Sequence, residues 1–337
     1  LRHHRSPLSV RSPIEAKVTM NPATTVPTLD DIRAAAARIA PHAQVTPVLR
    51  SGSLDRIAGC RLHFKCENFQ RIGAFKFRGA ANAVFGLSDE QAARGVLTQS
   101  SGNHGAAIAL ACRLRGIPAR VVVPRSAPKI KLAAIRDFGA EIIPCDTHQA
   151  ARDAAMAEVL AQTGAEVVHP YNDARVIAGQ GTATLELLHS VPELDTVLAP
   201  VSGGGLLSGT AIAAQSLKPG IRVFGAEPEQ ACDAHDSLKS GQRITGRIAD
   251  TICDGLRAEL GPLTFGILSE RLDDILLASE AEIIAAMRLI WERLKIVIEP
   301  SCAVPLAVIL KNPALFEDRE VGVILSGGNV DLDALPW

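Results

Sequence analysis

The chain has 337 residues, is 47% hydrophobic, and sets 35 Lys and Arg against 36 Asp and Glu for a net charge of −1. A chain of this length and apolarity can bury a large core and is expected to form two compact lobes, while the balanced charge gives no general attraction to nucleic acid or to a membrane surface. Seven cysteines without a C-x-x-C pair fit reduced, buried thiols in a cytoplasmic protein better than a disulfide framework.

The first residues differ from the rest. Arg2, Arg5, Arg11 and Lys17 outnumber Glu15, without the apolar stretch of a secretory signal. Residues 1–20 are expected to be a disordered extension, with Met20-Asn-Pro as the native start and a basic arm as the alternative. No apolar run approaches the length of a membrane span. Thr28-Leu-Asp-Asp31 is an N-cap pattern ahead of an alanine-rich helix to Ala40. The run Gly73-Ala-Phe-Lys-Phe-Arg-Gly79 then sets Lys76 between Phe75 and Phe77. Aromatic neighbours partly desolvate an ammonium and favour the neutral amine that a Schiff-base site requires. On this run alone, a lysine whose stem merely covers apolar surface is the alternative.

The middle third carries short β-branched runs at 95–99, 119–124, 141–144 and 166–169, alternating with helical stretches at 105–115, 129–138 and 148–162. Such alternation predicts βαβ units and a parallel sheet. Residues 95–170 are expected to be a small inserted α/β domain, and 21–94 with 171–337 a larger one. Between a strand and a helix, Ser100-Ser-Gly-Asn-His-Gly105 presents N–H groups and the Ser101 hydroxyl to a substrate carboxylate. Asn103 either bonds a phenolic oxygen or caps the helix.

The larger part continues with a helix at 179–189, a strand at 196–200, the loop Ser202-Gly-Gly-Gly-Leu206 and a helix at 206–216. A strand at 221–225, another at 274–278, helices at 280–294 and 303–310, and a last strand at 321–325 follow. Glycines at a helix start let backbone N–H groups converge on a phosphate, although alone this loop also suits a tight turn. Neither a G-x-x-x-x-G-K-[ST] run nor a G-x-G-x-x-G after a strand is present, so ATP and NAD fit poorly. Ser326-Gly-Gly-Asn-Val-Asp331 follows the last strand, where ligands of open α/β sheets collect. Its serine suits a ring nitrogen, with a polar turn as the alternative.

In their order along the chain, these runs resemble the fold-type II pyridoxal-phosphate enzymes, and within them the serine/threonine dehydratase and serine racemase family. The resemblance extends from about Thr28 to Asp331. It includes Lys65-Cys-Glu-Asn-Phe-Gln70, Ile177-Ala-Gly-Gln-Gly-Thr182, Gly225-Ala-Glu-Pro228 and Ile298-Glu-Pro300 as well as the loops above. It implies a two-lobed fold like the tryptophan synthase β subunit, with parallel-rich sheets, flanking helices and a homodimeric assembly. It also implies pyridoxal 5′-phosphate on Lys76, which later takes the Cα proton. Phe75 would flank the ring and Asn103 would bond its 3-hydroxyl. Glu299 would join them, Gly203, Gly204, Gly205 and Leu206 would bind the phosphate, and Ser326 would meet the ring nitrogen. Ser100, Ser101, Gly102, His104 and Arg152 would face the amino acid substrate, with Ser101 as a second acid/base.

Glu227, the carbonyl of Ala231, and Asp233 stand at the spacing of a divalent-cation site in racemase-like members. These hard oxygen ligands suit Mg²⁺ or Ca²⁺, and an acidic surface turn is the alternative. The implied activity is that of a dehydratase, an ammonia-lyase converting L-threonine, L-serine or 3-hydroxyaspartate to a 2-oxo acid and ammonia. Serine or aspartate racemisation is the alternative. A β-replacement synthase fits less well, because its lysine run usually continues Lys-Asp-Arg where this chain has Lys76-Phe-Arg78. The chain departs from the family pattern at Ser202, Ala74, Cys302 and Ala258. The last replaces a substrate-contacting serine of racemases, and Arg152 and Arg257 are extra cations that suit a second substrate carboxylate, with ordinary solvated arginines as the alternative.

Overall fold

The computed structural model describes residues 25–127 and 129–337, so the expected extension at 1–20 lies outside the described residues. In chain order the strands are β1 (Val48–Leu49), β2 (Arg61–Cys66), β3 (Val96–Gln99), β4 (Ala119–Pro124), β5 (Glu141–Cys145), β6 (Glu166–Val167), β7 (Thr196–Pro200), β8 (Arg222–Pro228), β9 (Asp274–Ala278) and β10 (Glu320–Leu325). They form a six-stranded sheet, β1-β2-β10-β7-β8-β9, and a four-stranded sheet, β5-β4-β3-β6. Among the described strands, only the β1–β2 pair is antiparallel. This is the α/β architecture with parallel-rich sheets that the alternating pattern predicts. Among the described residues, no helix is long and apolar enough to cross a membrane.

Local chemistry accounts for most of the elements. Thr28 caps the helix Leu29–Ile39 through a reciprocal capping box with Asp31. Every residue of β7 is buried, as expected for a central parallel strand covered on both faces. The strand β2 escapes the sequence pattern because Arg61-Leu-His-Phe-Lys-Cys66 mixes charged and apolar residues, yet only Arg61 is exposed. His63 and Lys65 tolerate the interior because Glu320 lies 2.7 Å from His63 Nε2 and Glu186 2.5 Å from Lys65 Nζ.

The helix Ala174–Ser190 starts before the predicted 179, since the Asp173 side chain accepts from Arg175 N at 2.9 Å and caps it. This helix sets the spacing of the site. A Cβ on Gly179 would lie 2.6 Å from Gly79 Cα and 2.7 Å from the Arg78 carbonyl, and a Cβ on Gly181 would lie 2.9 Å from the Gly209 carbonyl. The long helix therefore touches the helix Lys76–Phe85 on one side and the helix Gly205–Leu217 on the other, backbone against backbone. The first of these begins with the lysine and the second with the glycine loop.

Ion pairs lock the first contact. Arg78 is fully buried and donates to both oxygens of Glu67 at 2.7 and 2.8 Å and to both oxygens of Glu186 at 2.7 and 2.8 Å. Gly179→Ala is expected to push the helices apart and lower stability by about 1–3 kcal/mol. Gly266→Ala, in a helix where a Cβ meets nothing within 4 Å, is the matched control and should hold or raise stability. Thermal unfolding midpoints of the two variants check the contrast.

Candidate active site

Three loops at the carboxyl ends of strands meet around Lys76: 100–105 after β3, 202–205 after β7 and 326–329 after β10. Backbone bonds sew the lysine run to the last of these. Phe75 N donates to the Ser326 carbonyl at 3.0 Å, Gly328 N to the Gly73 carbonyl at 2.9 Å, and Ala74 forms an antiparallel bridge with Gly327. Gly73, at φ 71°, fits only as glycine, because a Cβ there would sit 2.6 Å from Asn329 Oδ1. Lys76 Nζ lies 5.1 Å from the Phe75 ring centroid and donates to the Pro170 carbonyl at 3.0 Å. Burial lowers its pKa to about 8, with the nearby Glu299 carboxylate opposing the shift.

Asn103 is the first residue of the helix Asn103–Arg115, with Gly102 as the N-cap, so its side chain is not spent as a cap. Its Nδ2 donates to both Glu299 oxygens at 3.3 Å, and its Oδ1 accepts from Asn329 Nδ2 at 2.9 Å. Glu299 is held in turn by its own N–H on the Gly327 carbonyl at 3.0 Å. The Ser100 hydroxyl accepts the Gly102 N–H at 3.3 Å. Ser101 is half-buried beside it, and a Cβ on Gly102 would meet nothing within 4 Å, which leaves open space on this side. His104 is buried, its Nε2 lies 3.5 Å from the Val168 carbonyl, and its Nδ1 has no partner. Burial, reinforced by Lys76, keeps its pKa well below the usual histidine range. Ser326 is buried at the end of β10.

The glycine loop is buried, Gly204 has φ 89°, and the first helical bond runs from Ser208 N to the Gly204 carbonyl at 2.8 Å. The N–H groups of Gly205 and Leu206 therefore have no intrahelical acceptor. Tyr171, the chain's single tyrosine, lies on this loop. A Cβ on Gly203 would overlap its ring, and one on Gly205 would come within 3.0 Å of its Cα. Tyr171 follows Pro170, the lysine's acceptor, so two consecutive residues span the distance from the amine to the loop. A lysine with a depressed pKa, a buried glycine cradle at a helix N-terminus, and a neutral hydroxyl at the end of β10 form a donor set that fits pyridoxal phosphate.

Arg152, in the first turn of the helix Gln149–Thr163, has a buried Nε without a hydrogen-bond partner among the described residues. Arg257 is exposed, and its Nε and Nη2 donate to the Thr251 carbonyl at 3.2 and 2.5 Å. Both Glu227 oxygens accept backbone N–H groups, from Ala234 at 3.0 Å and His235 at 2.9 Å. Burial raises the Glu227 pKa well above the carboxylate range, with Asp233 adding to the effect. Asp233, also chiefly through burial, is pushed up to about 6, and its Oδ2 has no partner. Among the described residues, no cluster of three or more His, Cys, Asp or Glu side chains is arranged for a metal; the expected set is two carboxylates and a carbonyl.

Pro170, Tyr171 and His169 were not anticipated from the sequence. The first acts through its carbonyl, which no side-chain pattern betrays. His169 Nδ1 accepts the N–H groups of Tyr171 at 3.3 Å and Asn172 at 2.9 Å, so its proton is on Nε2. Burial lowers its pKa to about 4, with Lys76 contributing against the pull of Asp173. The rarity of tyrosine in the composition was the one available signal for this segment.

The profile of the family described as "Pyridoxal-phosphate dependent enzyme" matches residues 39–327. The chain is 52% identical to a beta-hydroxyaspartate dehydratase of Paracoccus denitrificans, over 93% of this chain and 99% of the relative. It is 45% identical to an L-threo-3-hydroxyaspartate ammonia-lyase of Saccharomyces cerevisiae, over 91% and 94%. Maize serine racemase superposes with a TM-score of 0.90 at 47% identity, covering 92% of this chain and 95% of that one.

Acylation of Lys76 by a small amine-selective reagent should rise through about pH 8, against roughly 10.4 for an ordinary lysine. In Glu299→Gln the opposing carboxylate is gone and the midpoint should move to lower pH. Mass spectrometry of the peptide bearing Lys76 reads both; a midpoint near that of surface lysines would contradict the desolvated site.

Proposed function

The chain belongs to the family of pyridoxal-phosphate dependent enzymes, of fold type II, and from that premise we propose that it is an ammonia-lyase converting a β-hydroxy amino acid, 3-hydroxyaspartate before serine or threonine, to a 2-oxo acid and ammonia. The observation that carries this reading is the Lys76 amine, held near pKa 8 and 3.0 Å from the Pro170 carbonyl, between the Asn103–Glu299 pair and the glycine loop. The names of the dehydratase and ammonia-lyase relatives support the substrate. Arg152, whose buried Nε lacks a partner, supports a second carboxylate better than Arg257, which is committed to Thr251.

Bound at Lys76, pyridoxal phosphate would supply the sink for the electron pair left when the Cα–H bond breaks. Gly203, Gly204, Gly205 and Leu206 would hold its phosphate through N–H groups, Phe75 would flank the ring, and Asn103 with Glu299 would hold the hydroxyl edge. Ser326 offers a neutral partner to the ring nitrogen, which favours β-elimination over reactions that need a fully protonated ring. The N–H groups of Ser101, Gly102 and His104, with the Ser100 and Ser101 hydroxyls, receive the α-carboxylate, and neutral His104 adds no charge to the site. With its amine free, Lys76 would take the Cα proton. The β-hydroxyl would leave as water, balanced by the proton that Lys76 took from Cα, and the released enamine would tautomerise and hydrolyse to the 2-oxo acid and ammonia. Half-buried Ser101 beside the open space at Gly102 favours a secondary racemase activity, with Ser101 exchanging the proton on the other face.

Residues 21–94 and 171–337 would form the cofactor-binding domain and 95–170 the smaller one, in a cytoplasmic homodimer whose seven cysteines are all free. Glu227, the Ala231 carbonyl and Asp233 would hold Mg²⁺ or Ca²⁺, which the unpartnered Asp233 Oδ2 and the raised pKa values of both carboxylates support.

Holoenzyme given threo- and erythro-3-hydroxyaspartate, L-serine and L-threonine should release most 2-oxo acid from a hydroxyaspartate, with D-isomer as the lesser product. No 2-oxo acid from any of them would refute the lyase reading. Lys76→Ala should lose the visible absorption of the bound cofactor and roughly 10³-fold or more in rate. Arg152→Gln should raise KM for hydroxyaspartate roughly tenfold or more while sparing serine. Chelation by EDTA should lower the melting temperature by several degrees, with recovery on adding Mg²⁺ or Ca²⁺; an unchanged melting curve would argue against the cation.

A further inference from the structure

Ser202, which departs from the family's glycine, makes a contact that a glycine cannot. Its Oγ accepts the Ala258 N–H at 2.9 Å and donates to the Ala258 carbonyl at 2.9 Å. One hydroxyl thus satisfies both main-chain groups of a residue 56 positions away. A second tie follows, since Thr264 Oγ1 donates to the Gly203 carbonyl at 2.7 Å and accepts the Gly261 N–H at 2.9 Å. Thr264 therefore holds the 261–264 end of this segment, and Ser202 holds residue 258. The far end reaches the ring side of the site, where a Cβ on Gly255 would lie 3.0 Å from Ser301 Oγ and 3.9 Å from Glu299 Oε1. Residues 254–264 form a strap running from the Asn103–Glu299 pair to the glycine loop.

We propose that Ser202 is a positioning residue whose hydroxyl latches residue 258 to the phosphate loop, so that filling the loop with an anion also orders residues 254–260 on the substrate side. An anion drawn to the N–H groups of Gly203 to Leu206 fixes the loop, and the paired bonds carry that restraint to Ala258. Without the hydroxyl, the N–H and C=O of Ala258 turn to water and the two regions settle independently. The inference rests on the assignment of 203–206 as the phosphate cradle.

Hydrogen exchange, read by mass spectrometry on the full chain with and without pyridoxal phosphate, separates the two claims. In the unaltered protein the cofactor should slow exchange in both 203–207 and 254–260. In Ser202→Gly it should slow 203–207 alone, leaving 254–260 exchanging roughly tenfold faster, and Ser202→Thr should restore the protection. KM in Ser202→Gly should rise roughly three- to tenfold with kcat much less affected. Equal protection of 254–260 in Ser202→Gly and the unaltered protein, or an unchanged KM, would overturn the latch. Absence of protection at 203–207 in the unaltered protein would instead overturn the cradle beneath it.

Discussion

The guanidinium of Arg78 has no access to solvent and is gripped by two carboxylates, Glu67 from the end of β2 and Glu186 from the helix Ala174–Ser190. Burial alone opposes its charge, and the two carboxylates more than offset that, holding it charged. Lys65 supplies the second cation through Glu186 at 2.5 Å, and the Thr46 hydroxyl bonds Glu67 at 2.6 Å. Two buried cations thus face two carboxylates with most of their hydrogen-bonding groups engaged. Such a network resists disruption because removing any one member strands a charge in low dielectric, at about 3–5 kcal/mol. Since Arg78 lies half a turn beyond Lys76, this network fixes where the Lys76 side chain begins.

The same long helix carries that restraint across the molecule. Glycines at 179 and 181 bring its backbone against the lysine helix and the helix of the glycine loop, so the two halves of the site are spaced by main-chain contact that side-chain motion cannot relax. The segment 169–172, leading from β6 into that helix, then closes the site from the other side. Pro170 receives the amine, Tyr171 covers the loop, and Asn172 Oδ1 accepts the Leu263 N–H at 2.9 Å. The elements nearest the chemistry are therefore positioned chiefly by backbone groups, which suits a site whose distances must be kept while substrates come and go.

Much of the architecture was readable because it rests on local rules. The Thr28 capping box, the apolar run of β7 and the strand–loop–helix passages at 100–105 and 202–206 need only their own neighbours to form. The strand β2 was unreadable for the opposite reason. His63 and Lys65 look like surface residues until their partners, 257 and 121 positions away, arrive to neutralise them. Asn103 was ambiguous between cap and ligand, and only the fold removed the cap reading, by placing Gly102 there and Glu299 against the side chain. Ser202 looked like a plain departure until Ala258 folded against it.

The amino-acid order by itself singled out Lys76, the glycine loop at 202–206, the succession of strands and helices, and the family to which their order points. The elements follow from periodicity and residue chemistry that act within a few positions, and the family from the resemblance of the motifs in their order along the chain. Only the tertiary structure decided the charge state of that chemistry: Lys76 near pKa 8, His104 and His169 kept neutral, and Glu227 and Asp233 shifted upward. Desolvation and Coulomb interactions depend on which groups are near in space, and the groups that set these values, Glu299 beside Lys76 and Lys76 beside the two histidines, are brought there by elements far apart along the chain.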